Sequence, residues 1–256
     1  MNSVPNILCI GGHDPTGGAG IQADIETVTA LGGRALTLIT ALTAQDTHNI
    51  ASIQAISAAF FGEQLNRLQD DIRPDAIKIG LLGSTKLLPA ICGLLQDFRG
   101  PVVLDPVLAA GGGFDLDGSE LAEAVVAELL PLTGLATPNQ AEARRLTGCA
   151  DAGQAATALL RAGTSAVLMT GADEAQGAQV INRLFSKDGQ TRAFEWPLLP
   201  YVYHGSGCTL ASACTTRLAL GDDLIAAVEH AQRFTWDALT RAGQPGGGQW
   251  LPGRRT

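Results

Sequence analysis

Lysine is nearly absent from this chain. Lys78, Lys86 and Lys187 are the only three in 256 residues, and the formal charge is −8. A surface so short of cations lacks the electrostatic footprint of a protein that tracks phosphate backbones or anionic lipid, so nucleic acid and membrane are excluded as partners. No lysine closes a glycine-rich loop in the Walker pattern, which excludes a P-loop protein. Cysteine is sparse and scattered: Cys9, Cys92, Cys149, Cys208 and Cys214 are odd in number and include no Cys-x-x-Cys. That argues against a disulfide framework or a zinc site and suits a reducing cytosol. No apolar run reaches the ~20 residues that span a bilayer. The start, Met1-Asn2-Ser3-Val4-Pro5-Asn6, has no basic leader region, so a cytoplasmic location is expected. With 46% hydrophobic and 16% charged residues, the chain fits one globular α/β domain over residues 1–256, without repeat or linker.

What is present is a series of short apolar runs that end on glycine or polar residues. Ile7-Leu8-Cys9-Ile10 reads as a buried strand closed by Gly11-Gly12, followed by a turn-rich loop from His13 to Gly20 and a helix over residues 21–31. Residues 35–41, 74–82, 101–107, 135–139 and 166–171 read as further strands, with alanine- and leucine-rich helical segments between them. Such alternation indicates a parallel sheet covered on both faces. Two alternating runs around Ser186-Lys187-Asp188-Gly189 signal a hairpin. A helix is expected over residues 222–242, after which Gly243–Gly248 is loop and ends the fold. Gly18-Ala19-Gly20-Ile21-Gln22-Ala23 matches a dinucleotide-binding pattern, but its loop is too long for that turn and no ribose-binding acid follows the second strand.

The stretch that gives these elements a purpose is His204-Gly205-Ser206-Gly207-Cys208-Thr209-Leu210, which reads as a tight loop opening into a helix. Unpaired amides and the helix dipole make such a start an anion hole, and glycine lets a ligand approach its backbone. The same positive potential is expected to lower the pKa of Cys208 and make it a base or nucleophile. In an open parallel sheet, ligands bind beyond the carboxyl ends of the strands. Asp14, Asp24, Gln45, Asp105, Asn139 with Glu142, and Gly205–Cys208 all fall there. Asn139 and Glu142 alone form a helix cap with its N3 acid, and Asp105-Pro106 alone a turn. Their hard oxygens also suit Mg²⁺, and the joint placement favours phosphoryl transfer.

Taken together, these ordered segments resemble the ribokinase-type superfamily, and within it the hydroxymethylpyrimidine/phosphomethylpyrimidine kinases. They are 12–24, 40–45, 78–82, 105–107, 137–142 and 204–210, and they are spread over nearly the whole chain, from Ile10 to Leu210 and beyond. The resemblance implies a three-layer αβα sandwich, ATP and Mg²⁺, and transfer first to a hydroxymethyl group and then to the monophosphate. By position, Cys208 would be the base and Gly205, Ser206 and Gly207 would hold the transferring phosphate. Gly12, Asp24 and Gln45 would hold the pyrimidine. Asn139, Glu142 and Thr170 would meet the nucleotide, with Asp105, Asn139 and Glu142 at the metal. A homodimer is also expected. Cys208 replaces the aspartate of most sugar kinases in the superfamily and points to the pyrimidine branch.

The sequence departs from that pattern at three places. Gly111-Gly112-Gly113 stands where Lys-Ser-Gly is usual, Thr170-Gly171-Ala172 where Lys-Gly-Gly is usual, and Leu81 where methionine is common. The first two remove cations expected near the phosphates, unless Lys78, Lys187 or an arginine reaches in. Two other readings compete: a pyridoxal-type kinase of the same fold, and a non-catalytic pyrimidine- or nucleotide-binding protein. A base together with metal ligands argues against the latter, since a binder needs neither.

Overall fold

The computed structural model describes residues 4–110, 114–115, 118–171 and 177–255. In strand β1 (Asn6–His13), Ile7 and Cys9 face one side of the sheet while Leu8 and Ile10 face the other, and all four are buried. A strand apolar on both faces needs cover on both sides, which makes the three-layer αβα sandwich. Helix α1 (Gly20–Ala30) packs on the Ile7 side. The strands continue with β2 (Arg34–Gln45), β3 (Ile50–Ala55), β4 (Ala76–Ile79) and β5 (Val102–Leu104). Then come a separate ribbon of β6 (Ala109–Ala110) and β7 (Phe114–Asp115), and strands β8 (Leu135–Ala136), β9 (Ala166–Met169), β10 (Gln179–Ser186) and β11 (Thr191–Pro197).

Helices α2 (Ala58–Asp71), α3 (Leu88–Gln96), α4 (Gly118–Ala124), α5 (Gln140–Thr147) and α6 (Ala152–Ala162) cover the Leu8 side through Phe61, Ile91, Leu121, Leu146 and Leu159. Helices α7 (Ser206–Ala219) and α8 (Leu224–Thr240) join α1 on the other. Alanines and Cys214 on α7 let its backbone lie close over Val103 and Leu135.

The main sheet runs β11-β10-β9-β8-β5-β4-β1-β2-β3, with the six strands from β9 to β2 parallel. Its edges are antiparallel: β3 on β2, and the predicted hairpin β10–β11 on β9. The register aligns Cys9 with Lys78, Lys78 with Val103, and Val103 with Leu135. Lys78 therefore lies in a row that faces α1 and α7.

Three expectations change. The second strand runs past residue 41 to Gln45 and returns as β3, because Asp46 accepts the amides of His48 and Asn49 and closes a turn that the sequence reading passed over. The expected strand over 101–107 stops at Leu104: the Asp105 amide still donates to Ile79, but Pro106 has no N–H to carry the ladder on. Nor does the fold end in the glycine loop after α8. The chain comes back, pairs Trp250 with Tyr203, and buries Arg254.

Candidate active site

β1 neighbours both β2, which follows it in the chain, and β4, from which the sheet grows the other way. This is the switch point at which α/β sheets bind ligands. A cavity of about 740 Å³ opens there. Strand order sets out its floor: Thr170 follows β9, Asn139 follows β8, Asp105 follows β5, Gly12 lies in β1 and Gln45 ends β2. All five line the cavity, as do Glu142 and Gly205–Cys208.

The start of α7 forms the opposite wall. Its N-cap, Gly205, has φ +77° and offers no capping side chain. A Cβ there would lie 2.0 Å from the Gly18 carbonyl, so only glycine lets these two loops meet. Gly20 is similar: at φ +57°, a Cβ would lie 2.2 Å from the Gly12 carbonyl. The first-turn amides of α7 are thus left for an anion.

The loop before α1 is held by Asp14, whose carboxylate accepts the Thr16 and Ala19 amides, both at 2.8 Å, and the Thr16 hydroxyl. It also pairs with His204 Nε2 at 2.9 Å, tying this loop to the one before α7. Burial pushes the Asp14 carboxyl up, but the His204 and Thr16 hydrogen bonds outweigh it and hold the pKa at about 2.

Beneath Cys208 lies a buried charge cluster. Lys78 Nζ sits 2.9 Å from Asp24 Oδ1 and 3.9 Å from Asp105 Oδ2. Asp24 also accepts Ser212 Oγ at 2.6 Å. Asp105 and the Gly20 amide both lie close enough to Cys208 to act on its thiol. Burial pushes Cys208 up to about 12, Asp105 and Asp24 add to the rise, and Lys78 opposes it. The expectation of a lowered thiol pKa is therefore corrected, because burial and two carboxylates outweigh the helix dipole. Burial likewise raises the Asp105 carboxyl despite Lys78 and the thiol hydrogen bond. Burial opposes the charge on Lys78, but Asp24, Cys208 and Asp105 raise its pKa overall.

Not every expected residue reaches the cavity wall. Asp24 is fully buried and spent on Lys78 and Ser212, so the structure places it behind the site and not against a pyrimidine. Asp105 lines the cavity beside Lys78 and Cys208, and its buried Oδ2 has no hydrogen-bond partner. Asn139 and Glu142 form a complete capping box on α5: Asn139 Oδ1 accepts the Glu142 amide at 2.8 Å and Glu142 Oε2 the Asn139 amide at 2.9 Å. Thr170 bridges to Asn139 through backbone pairing. Among the described residues, no group of three His, Cys, Asp or Glu could hold a metal. Hard oxygens on the cavity wall fit Mg²⁺ that keeps its waters and phosphates, but not an all-protein cage.

Of the proposed substitute cations, Lys187 donates to the Gly163 carbonyl instead, and Lys78 lines the cavity. The glycines at 111–113 and Ala172 lie outside the described residues. The sequence reading missed a polar wall under the β10–β11 hairpin. There the Gly171 amide donates to Asn182 Oδ1 at 2.9 Å, and Asn182 Nδ2 and Trp196 Nε1 both donate to Gln232 Oε1, at 2.8 and 3.1 Å. A buried Gln on α8 gives no spacing signal.

The fold matches that of pyridoxal kinase from Staphylococcus aureus in complex with pyridoxal, with a TM-score of 0.90 and 26% identity over 98% of this chain and 93% of that one. That protein has also been solved with ADP and with AMP-PCP. The fold is thus that of a ribokinase-like phosphotransferase. Within that class the chain belongs to the phosphomethylpyrimidine kinase family, whose model matches residues 14–252. It is 36% identical over 241 residues to the hydroxymethylpyrimidine/phosphomethylpyrimidine kinase of Rhizobium meliloti, covering 92% of this chain and 90% of the relative. It is 39% identical over 246 residues to the thiamine biosynthesis bifunctional protein ThiED of Geobacter sulfurreducens, with 94% of this chain aligned. The chain spans about half the length of that protein, 50%. Membership in a kinase family sets aside the non-catalytic reading.

The Asp14–His204 pair has a measurable consequence. With its carboxyl held at about 2 instead of 3.8, Asp14 contributes stability that is fully present above about pH 4 and is lost as pH falls towards 2. His204→Gln should flatten that acid-side loss. Thermal melts of both proteins across this range check it, and parallel curves would refute the pairing.

Proposed function

We propose that this chain transfers the γ-phosphoryl group of ATP to the hydroxymethyl group of 4-amino-5-hydroxymethyl-2-methylpyrimidine. It then phosphorylates the monophosphate to the diphosphate, in thiamine diphosphate biosynthesis. The observation that carries this reading is Cys208 at the uncapped start of α7, on the same cavity wall as Asp105 and Lys78 and electrostatically linked to both. The family membership and the names of the relatives support the substrate.

In this reading the acceptor hydroxyl gives its proton to Cys208 Sγ while the thiol proton passes to Asp105. The freed alcohol oxygen bonds to phosphorus as the bond to the ADP oxygen breaks. A thiol near pKa 12 suits such a relay better than a standing thiolate. The raised carboxyl of Asp105 is the stronger acceptor for it. Lys78 keeps its charge throughout and balances the cluster, while amides of residues 205–208 hold the transferring phosphoryl oxygens. Gly12 and Gln45 hold the pyrimidine at the β1–β2 end, and Thr170 meets the nucleotide at the β9 end. Asn139 and Glu142 would hold Mg²⁺, which supplies neutralisation of phosphate charge. A homodimer and a cytosolic setting belong to the same reading. The exposed edge strand β3 supports the first and five free cysteines the second.

Cys208→Ala should lower kcat by about a hundredfold or more while pyrimidine binding is largely kept, and Asp105→Asn should slow the same step. Steady-state kinetics on both variants decide this. Near-normal turnover, or a phosphorylated cysteine trapped during the reaction, refutes the relay.

Glu142→Gln should raise the Mg²⁺ concentration needed for half-maximal rate and leave the KM for pyrimidine in place. A Mg²⁺ titration checks it, and a change confined to pyrimidine affinity counts against the assignment.

The second transfer adds to a phosphate and so gathers more negative charge, where a missing cation matters most. Thr170→Lys should therefore speed the second step more than the first. Rates of both steps at saturating MgATP are the measurement, and equal effects would rule the charge argument out. Pyridoxal is the second substrate to assay, because the likeness to pyridoxal kinase extends over 98% of the chain. Higher identity to the pyrimidine kinases, 36% against 26%, favours the pyrimidine.

A further inference from the structure

Arg254 heads the largest side chains that the fold buries fully, at 1% exposure, and the proposed reaction does not use it. The segment after α8 delivers it: Trp250 stacks on Tyr201 at 3.9 Å, and the His204 amide donates to the Trp250 carbonyl. The guanidinium then spreads over three elements. Its Nε donates to Thr209 Oγ1 at 2.8 Å, in the first turn of α7. One terminal nitrogen donates to the Gly17 carbonyl at 3.4 Å and to Glu26 on α1 at 3.2 Å, and the other to the Gly18 carbonyl. Thr209 Oγ1 in turn donates to the Gly205 carbonyl at 2.8 Å.

We infer that Arg254 is a positioning residue for phosphoryl transfer, holding the loop of residues 14–20 against the start of α7. The two backbones it joins are those that touch at Gly18 and Gly205. A shift between them would move the Gly20 backbone relative to Cys208 and tilt the amides of residues 205–208. Among the described residues Glu26 is its ion-pair partner, and its other hydrogen-bond partners are neutral acceptors, a set that suits the planar fork of arginine. A plain stabilising ion pair would not need two loop carbonyls and a hydroxyl of the catalytic helix.

The inference rests on the reading of Cys208 and residues 205–207 as the transfer centre, so Cys208→Ala is measured beside it. Arg254→Ala and Arg254→Lys are assayed on the hydroxymethylpyrimidine below their melting temperatures. The expected result is a fall in kcat of about tenfold or more in both, with KM for ATP and pyrimidine within about threefold. Guanidinium at millimolar concentration should restore part of the rate to Arg254→Ala and none to Cys208→Ala. If Arg254→Ala fails to fold, Arg254→Lys, which keeps charge and bulk but loses the fork, decides. A folded variant with kcat within about twofold of the parent, or a loss that guanidinium leaves unchanged, overturns the inference. Loss in the arginine variants with rescue, beside an active Cys208→Ala, would sink the relay and keep the positioning role. An inactive Cys208→Ala beside normal arginine variants would do the reverse.

Discussion

A lysine with no exposed surface, in the middle of a parallel sheet, is the constraint on which this structure turns. Lys78 stands in a four-residue strand that is otherwise alanine and isoleucine, and its charge survives only because Asp24 and Asp105 converge on it. Breaking such a buried pair costs about 3–5 kcal/mol, since the charge left behind has no water to turn to. The geometry is therefore over-determined. Asp24 fixes α1 to β4, Ser212 fixes α7 to Asp24, and Asp105 fixes the end of β5 beneath Cys208. The cluster that neutralises one cation thereby sets the height and tilt of the helix start to which the proposed reaction assigns the phosphate.

That helix start contrasts with the other one on the same cavity. Asn139 and Glu142 cap the start of α5 by themselves, so the amides of both are satisfied before any ligand arrives. Gly205 leaves the start of α7 open, because a glycine N-cap contributes no acceptor. A satisfied cap stabilises its helix by about 1 kcal/mol, and α7 forgoes this. It is held instead by packing of Leu210, Ala211 and Cys214 and by the hydroxyls of Thr209, Thr215 and Thr216 on carbonyls of their own helix or its cap. Open amides on a helix fixed by other means are what an anion site requires.

How far the sequence could be read follows from the range of each interaction. The six parallel strands, the hairpin and the glycine-led helix were legible because apolar runs, Asp-Gly and Gly-Ser-Gly are local signals. So was the cavity floor, because strand ends are where polar residues interrupt apolar runs. The role of Asp24 was not legible, since its partners are 54 and 188 residues away in the chain. The pKa of Cys208 went the wrong way for a related reason. A helix dipole can be read from sequence, but the burial and the two carboxylates that outweigh it appear only once α1, β5 and α7 are assembled.

Lys78 stands out from the sequence as a charged residue in a strand with no polar face, among the least common places for lysine. Its meaning does not. A lysine in such a row has to meet a carboxylate across a layer, and three acids, Asp14, Asp24 and Asp105, were all plausible from their positions at loop or strand ends. The fold assigns two of them to it and gives the third to His204. That division separates the two halves of the chemistry. Asp14 ties together the loops that shape the anion hole, and its low pKa keeps it a constant acceptor for His204. Asp105 sits next to the thiol with its carboxyl raised, the arrangement that the proposed relay uses.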